Sequence, residues 1–419
     1  MIRCYRPLGF YMTRRPCCSL CVVLFVTILF GLWYYRYTYI IPPEKQPTTY
    51  SHCYGSDRRL SPTPPDSAVH LAFLLKGEKT VLRTMTLLKS VLYYQGRVNE
   101  RLPACRLLPP ADPREVPRSC QSKTTIPNRF HLHVHLIVEE RIHPFVIDLF
   151  RNWKVADFGW TVYSLDDYLP NVNWIPNSHN AGTTSLLKVV IPCILPQETK
   201  KVIVLDSDTL VNHNLIELWR HFEKFNSLQA FGLVWEQHPS NDQCVEERSW
   251  PIPSTGVNGG LMLLDLEKVR SLNWDRIWRT AAQNCLHDKW YLIEGDQQLF
   301  NWIIFTQPEL YYQVPCEWNV QMYNRLSSVC CPVVWPNRRP NETDCPLYTS
   351  ESKTVSDNPP RVLKLAHLNT RPKPEDEEVN TALFHGDTRV DRSLTYEEVK
   401  IRFMEVYHRF QALPFSCFS

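Results

Sequence analysis

Lys201-Val202-Ile203-Val204-Leu205 runs directly into Asp206-Ser207-Asp208. A short apolar run with mostly β-branched residues is what a buried parallel strand requires. Two carboxylates at the carboxyl end of such a strand open into the crevice where α/β sheets take ligands. At Asp-x-Asp spacing they offer two hard oxygen donors to one divalent cation, which can clamp a diphosphate. Alone, the tripeptide is equally compatible with a solvated acidic turn. Its meaning rests on the rest of the chain.

That surrounding chain alternates strands and helices. Val69 to Leu75 reads as a strand, and Thr80 to Tyr94 as a helix with Leu82, Met85, Leu88 and Leu92 on one face. His131 to Val138 alternates cleanly, and its three histidines share one side, read as a polar strand face in preference to a metal site. Pro144 to Trp153 reads as a helix with its proline in the first turn, and Thr161 to Tyr163 as extended. Leu186 to Cys193 should be a helix stopping near Pro192, followed by the Asp-x-Asp strand. Leu215 to Phe222, Leu266 to Ala282 and Gln297 to Phe305 suggest helices; Ala230 to Val234, Val257 to Leu264 and Val362 to Ala366 suggest strands. The alternation predicts one mostly parallel α/β sheet.

The N-terminus adds a second constraint. Ser19 to Tyr35 contains no charged residue and ends in Trp33-Tyr34-Tyr35, an interfacial aromatic belt. Arg3, Arg6, Arg14 and Arg15 precede it, so the positive-inside rule predicts a cytosolic tail over residues 1–18 and a transmembrane signal anchor over 19–35. No small-x-small cleavage site follows the run, which argues against a removed signal peptide. A Pro-, Ser- and Thr-rich stem then runs to residue 69, leaving 70–419 as the main domain on the lumenal side. There disulfides persist, and the sequon at Asn341 predicts N-glycosylation. Eleven cysteines follow the anchor region, so an odd one is left over. Loop insertions are expected near 96–129, closed by a Cys105–Cys120 disulfide, and near 325–360. With 46 basic and 43 acidic residues the net charge of +3 describes a mixed surface, not a nucleic-acid binder.

Several further segments accompany the acidic pair: Asn173-Trp174-Ile175-Pro176-Asn177, Glu217-Leu218-Trp219, Asn258-Gly259-Gly260, Glu294-Gly295-Asp296-Gln297-Gln298, Pro315-Cys316-Glu317-Trp318-Asn319-Val320-Gln321 and His367. With these the chain resembles the retaining glycosyltransferases of family 8, and within them the xylosyltransferase domain of LARGE-type enzymes, from about His70 to His367. The resemblance implies a GT-A (Rossmann-like) α/β domain, a UDP-sugar donor with UDP-xylose favoured, Mn²⁺, a glycan or glycoprotein acceptor, and a single-pass type II Golgi membrane enzyme. It makes Asp206, Asp208 and His367 the metal ligands, a mixed N/O set that suits Mn²⁺ better than Mg²⁺.

By the same resemblance, Lys188, Asn258, Gly259, Gly260 and Lys373 belong to the donor site, and Asp296 and Gln297 to the catalytic centre in a front-face attack. Read from its residue type alone, Lys188 is a solvated lysine on a helix face, and Asp296 serves equally as a helix cap. Two departures stand out. Gln298 replaces a common acidic residue, and the closing loop reads Arg371-Pro372-Lys373-Pro374, without the family's glycine. LARGE-type enzymes carry a second, glucuronic-acid-transferring domain; about fifty residues past His367 are too few for one, so a single α-xylosyl transfer is expected. A UDP-glucose or UDP-galactose transferase, and a non-catalytic lumenal protein that binds a glycan or a partner glycosyltransferase, are the competing expectations.

Overall fold

The computed structural model describes residues 67–107, 129–237, 256–323, 326–337, 340, 361–376 and 392–418. The tail, the anchor, nearly all of the stem, Cys120 and Asn341 lie outside these residues. Among the described residues no helix is long and apolar enough to cross a membrane.

Seven strands form the main sheet: β1 (Val69–Leu75), β2 (Leu132–Val138), β3 (Phe158–Ser164), β4 (Lys201–Leu205), β6 (Phe231–Trp235), β7 (Val257–Asp265) and β8 (Tyr311–Gln313), in the order 3-2-1-4-7-6-8. β5 (Thr209–Val211) belongs to a smaller sheet described below. The first four strands of that order are parallel, and only β7 is reversed, antiparallel to both β4 and β6. The predicted mostly parallel sheet is therefore present.

Period-two alternation distributes side chains between two cores. Ile203 and Leu205 of β4 point to one, with Leu71 and Phe73 of β1; Val202 and Val204 point to the other, with Met262 and Leu264 of β7. Helix α1 (Glu78–Tyr94) covers the first face. Its buried stripe runs through Val81, Met85, Leu88 and Leu92; Leu82, expected on that stripe, is 49% exposed, one position round the helix from Val81 at the edge of the buried face. Helices α2 (His143–Asn152), α3 (Leu215–Trp219), α4 (Leu266–Ser271), α5 (Trp274–Lys289) and α6 (Asp296–Thr306) follow. The helix expected over Leu266 to Ala282 is thus two, parted at an extended Leu272. The one expected over Leu186 to Cys193 is a chain of short turns, with Pro192 in the first turn of Ile191–Ile194 and not at a stop. That is where a missing N–H costs nothing.

The smaller three-stranded sheet packs beside the first core. Its central strand β12 (Leu365–His367) pairs antiparallel with β5 and parallel with β9 (Val320–Gln321), while β10 (Val333–Val334) and β11 (Arg361–Val362) form a separate pair. The run expected as one strand over Val362 to Ala366 is therefore shared between two sheets. Helix α7 (Tyr396–Ala412), which the sequence reading did not foresee, begins at a full Thr395/Glu398 capping box and returns against α1. Lys89 of α1 donates to the carbonyls of Gln411 and Leu413 at the end of α7, a cation at a helix C-terminus.

The expected Cys105–Cys120 bridge is overturned: Cys105 pairs with Cys417, 312 residues away. The C-terminal segment runs back beside residues 98 and 99, with Val98 bridged to Phe418 and the Asn99 N–H on the Cys417 carbonyl. Cys316 pairs with Cys331. Cys285 keeps its thiol, buried against the Gln298 carbonyl.

Of the three alternating histidines, His133 and His135 form a buried polar face together with His70 of β1, and His131 is half-buried just before β2. His70 Nδ1 meets His135 Nε2 at 3.0 Å, His135 Nδ1 meets the Tyr163 hydroxyl at 2.9 Å, and His133 Nε2 meets Thr161 at 2.9 Å. Burial first, and neighbouring imidazoles second, hold His70 at about 4, His133 at about 3 and His135 well below 6.5. In the unfolded chain these rings protonate through 6.5. Their contribution to stability is complete above that pH and is lost as pH falls toward the folded values, by about 1.4 kcal/mol per pH unit per histidine. The unfolding midpoint should drop steeply between pH 6.5 and 4, less so in His133→Gln; an equally flat profile in both proteins would contradict the cluster.

Candidate functional site

β4 ends at Leu205, so Asp206 leaves the sheet at its carboxyl edge. The Thr209 N–H and hydroxyl both donate to the Asp206 carbonyl, closing the turn that carries Asp208 into β5. Because β7 is reversed, its first residues arrive at that same edge, and the Asp206 N–H donates to the Gly260 carbonyl at 3.0 Å. β12 lies beside β5 with His367 opposite Thr209. Asp206, Asp208 and His367 then each offer one ligand atom, all within 4.8 Å of one another. The three residues grouped by the resemblance do meet, and two carboxylate oxygens with one imidazole nitrogen fit a divalent cation.

Cations already gather on these carboxylates. Lys373 Nζ lies 2.6 Å from Asp208 Oδ2 and also donates to the Leu368 carbonyl; His367 Nε2 stands 3.4 Å from Asp208 Oδ1. Burial alone would raise the Asp208 carboxyl, but Lys373 and His367 outweigh it and hold it far below the usual carboxylate range. Lys188 is 4% exposed, not the solvated lysine its residue type suggested. Its ammonium lies 2.9 Å from Asp206 Oδ1 and 3.2 Å from Asp296 Oδ2, and donates to the Gly259 carbonyl at 2.8 Å. Burial opposes that charge; the two carboxylates overcome it and shift Lys188 upward. Asp296 is pushed up, by burial first, with Lys188 opposing.

Gly295 caps α6 with φ 60°, and Asp296 makes no cap hydrogen bond. The capping role for Asp296 is therefore not its role; it belongs to the Lys188 group. Gln297 Oε1 accepts from the Gly259 N–H at 3.1 Å. A Cβ on Gly259 would stand 2.5 Å from Asp296 Oδ2, and one on Gly260 2.2 Å from the His367 ring. Both glycines are required by close approach. The Gln298 Oε1 accepts from the Ile293 N–H at 3.1 Å, so the side chain shapes the loop before α6. That loop is tied to the Asn173–Asn177 segment, with Asn177 bridged to Leu292 and the Leu292 N–H on the Pro176 carbonyl.

Two groups escaped the sequence reading. Asn319, which is buried, and Glu236, which is half-buried, complete a chain of side chains behind His367. His179 sits over Gly295 and influences Asp296. Asn319 stood inside a recognised motif without a role; nothing local to Glu236 or His179 marks them.

Comparison with known proteins follows the same residues. Residues 128–374, more than half of the chain, match the family described as Glycosyl transferase family 8. The chain is 31% identical over 265 residues to the Homo sapiens protein "Xylosyl- and glucuronyltransferase LARGE1", covering 63% of this chain and 31% of that one. It is 36% identical over 202 residues to the Gallus gallus "Xylosyl- and glucuronyltransferase LARGE2s", covering 48% and 27%. The chain spans about a third of the length of the curated relatives it matches. Mouse Xyloside xylosyltransferase 1, in its apo crystal form, aligns at a TM-score of 0.46 and 20% identity over 72% of this chain and 97% of that one.

Proposed function

The chain belongs to glycosyl transferase family 8, and from that premise we propose that it moves xylose from UDP-xylose onto a glycan hydroxyl, retaining the α configuration. The observation that carries this reading is the convergence of Asp206, Asp208 and His367 beside the glycine-lined start of β7. Those three residues would hold Mn²⁺, which when bound neutralises the departing diphosphate. The chain's own groups do the rest. Lys188 holds Asp206 and Asp296 in a shared ion pair, so the sugar site and the diphosphate site are positioned together. Lys373 brings a second ammonium to the mouth of the site. Gly259 and Gly260 leave room for Asp296 and the His367 ring, and their backbone, held from behind by Asn258, forms the floor of the donor site. Asp296 and Gln297 orient the reacting hydroxyls for attack on the face from which UDP leaves.

The donor choice follows the relatives, whose names include xylosyl transfer. The GT-A architecture and the use of Mn²⁺ follow the family. A type II Golgi placement rests on the uncharged run from Ser19 to Tyr35 and the arginines before it, with glycosylation at Asn341.

One preparation tests both parts. In microsomes from cells expressing the full chain, residues beyond the anchor should resist added protease until detergent is present. After opening, transfer from UDP-xylose should outpace transfer from UDP-glucose and UDP-galactose. A domain digested in sealed vesicles would overturn the topology. Equal use of UDP-glucose would move the reading to a hexose donor, since one hydroxymethyl group is worth only about 1–3 kcal/mol of discrimination. Absence of any transfer would favour the non-catalytic glycan- or partner-binding protein.

A further inference from the structure

His367 has two ring nitrogens, and only a nitrogen without a proton can ligate a cation. Two tautomers compete. In one, Nε2 carries the proton and donates toward Asp208 Oδ1, 3.4 Å away; that ring cannot serve the cation from the side facing the carboxylates. In the other, Nδ1 carries the proton and Nε2 presents a lone pair beside Asp208. We propose that Asn319 is a positioning residue that selects the second tautomer; this rests on the metal-assisted reading above.

The selection follows from a chain of hydrogen bonds whose sense is set by an unambiguous donor. The Gly260 backbone N–H meets the Asn258 side chain at 3.0 Å, so the atom it meets must be oxygen. The Asn258 amide nitrogen is thereby turned to the Glu236 carboxylate, 3.1 Å away, which can only accept while ionised. Asn319 approaches the same Asn258 oxygen at 2.9 Å and must do so with its nitrogen. Its own oxygen then faces His367 Nδ1 at 3.0 Å, where only an N–H satisfies both atoms.

The links from Asn258 to His367 are enclosed, with Asn319 0% exposed, Asn258 2% and His367 3%; Glu236 at the far end is half-buried. A reversed link would set oxygen against oxygen or hydrogen against hydrogen where water cannot compensate. The ring lies against Gly260, where a side chain would collide with it. The residue that anchors the chain thus also leaves space for its last member. Partners behind a ligating imidazole fix its tautomer and orientation in this way, and their loss typically costs 10–100-fold in metal affinity.

The test uses the full chain, purified in detergent, with Mn²⁺ as the probe. Nitrogen-15 NMR of the metal-free protein, with the His367 signal assigned by its loss in His367→Gln, should show the proton on Nδ1 and a bare Nε2. Asn319→Leu should move the proton toward Nε2 and weaken Mn²⁺ binding about 10–100-fold. Asn319→Asp keeps an oxygen against Nδ1 but sets its other oxygen against Asn258 Oδ1, so it should keep the proton on Nδ1 while recovering only part of that affinity. A proton on Nε2 in the wild type, or wild-type Mn²⁺ affinity in a folded Asn319→Leu, would overturn the proposal. The wild-type spectrum decides even if Asn319→Leu does not fold. A wild type with the Nδ1 proton that binds no divalent cation would instead overturn the metal-assisted reading and leave the tautomer assignment standing.

Discussion

Lys188→Met should abolish transfer and lower the stability of the domain by about 3–5 kcal/mol, the usual effect of removing one partner from a buried ion pair. The ammonium is the counter-charge of Asp296, which is 3% exposed, and of the more open Asp206. It also satisfies the Gly259 carbonyl. Most of the loss arises at Asp296, because solvent screens part of the charge on Asp206, whose side chain is 36% exposed. Urea unfolding checks the prediction. Lys188→Met with Asp296→Asn should regain much of the lost stability and none of the transfer, since the second change removes the uncompensated carboxylate. A single variant as stable as the wild type would show that Lys188 does not hold the two acids.

Asp208→Asn should keep the fold and reduce the transfer rate about a hundredfold, on the order of 3 kcal/mol of transition-state stabilisation. Asp208 lies between Lys373 and His367. The amide therefore gives up an ion pair to Lys373, a modest stability cost at a partly open site. The activity cost is larger, because one of the three cation ligands loses its charge. The reduction should shrink as Mn²⁺ is raised if binding is what is impaired.

The parts of this protein that were legible in the sequence are those encoded locally. β1 and β4 are short runs of alternating or continuous apolar residues, and their bounds matched the expectation. Asp206 and Asp208 were legible because the end of such a strand is where ligands bind. His367 was reached only through the resemblance, since its place beside Asp208 depends on β12 pairing with β5. Lys188 shows the limit most plainly. Its residue type suggests a solvated helix face, and what buries it is the reversal of β7, which carries Gly259 to the edge of β4.

Cys105 was matched to the nearer Cys120 because chain proximity was the only guide, whereas the bridge closes a return of the C-terminus across 312 residues. Helix α7 could have been found: Thr395 followed by Glu398 ahead of a periodic run is a capping-box signature. Asn319 could not, because its role comes from partners supplied by two other segments.

Transfer should depend on a divalent cation held by Asp206, Asp208 and His367. Transfer rate measured against free Mn²⁺, from excess chelator upward, tests it most directly in the wild type and in His367→Ala. The wild type should be inactive in chelator and saturate with Mn²⁺. His367→Ala should need more Mn²⁺ and be partly restored by it. Full wild-type transfer in chelator, or loss in His367→Ala that no Mn²⁺ concentration relieves, would contradict the account.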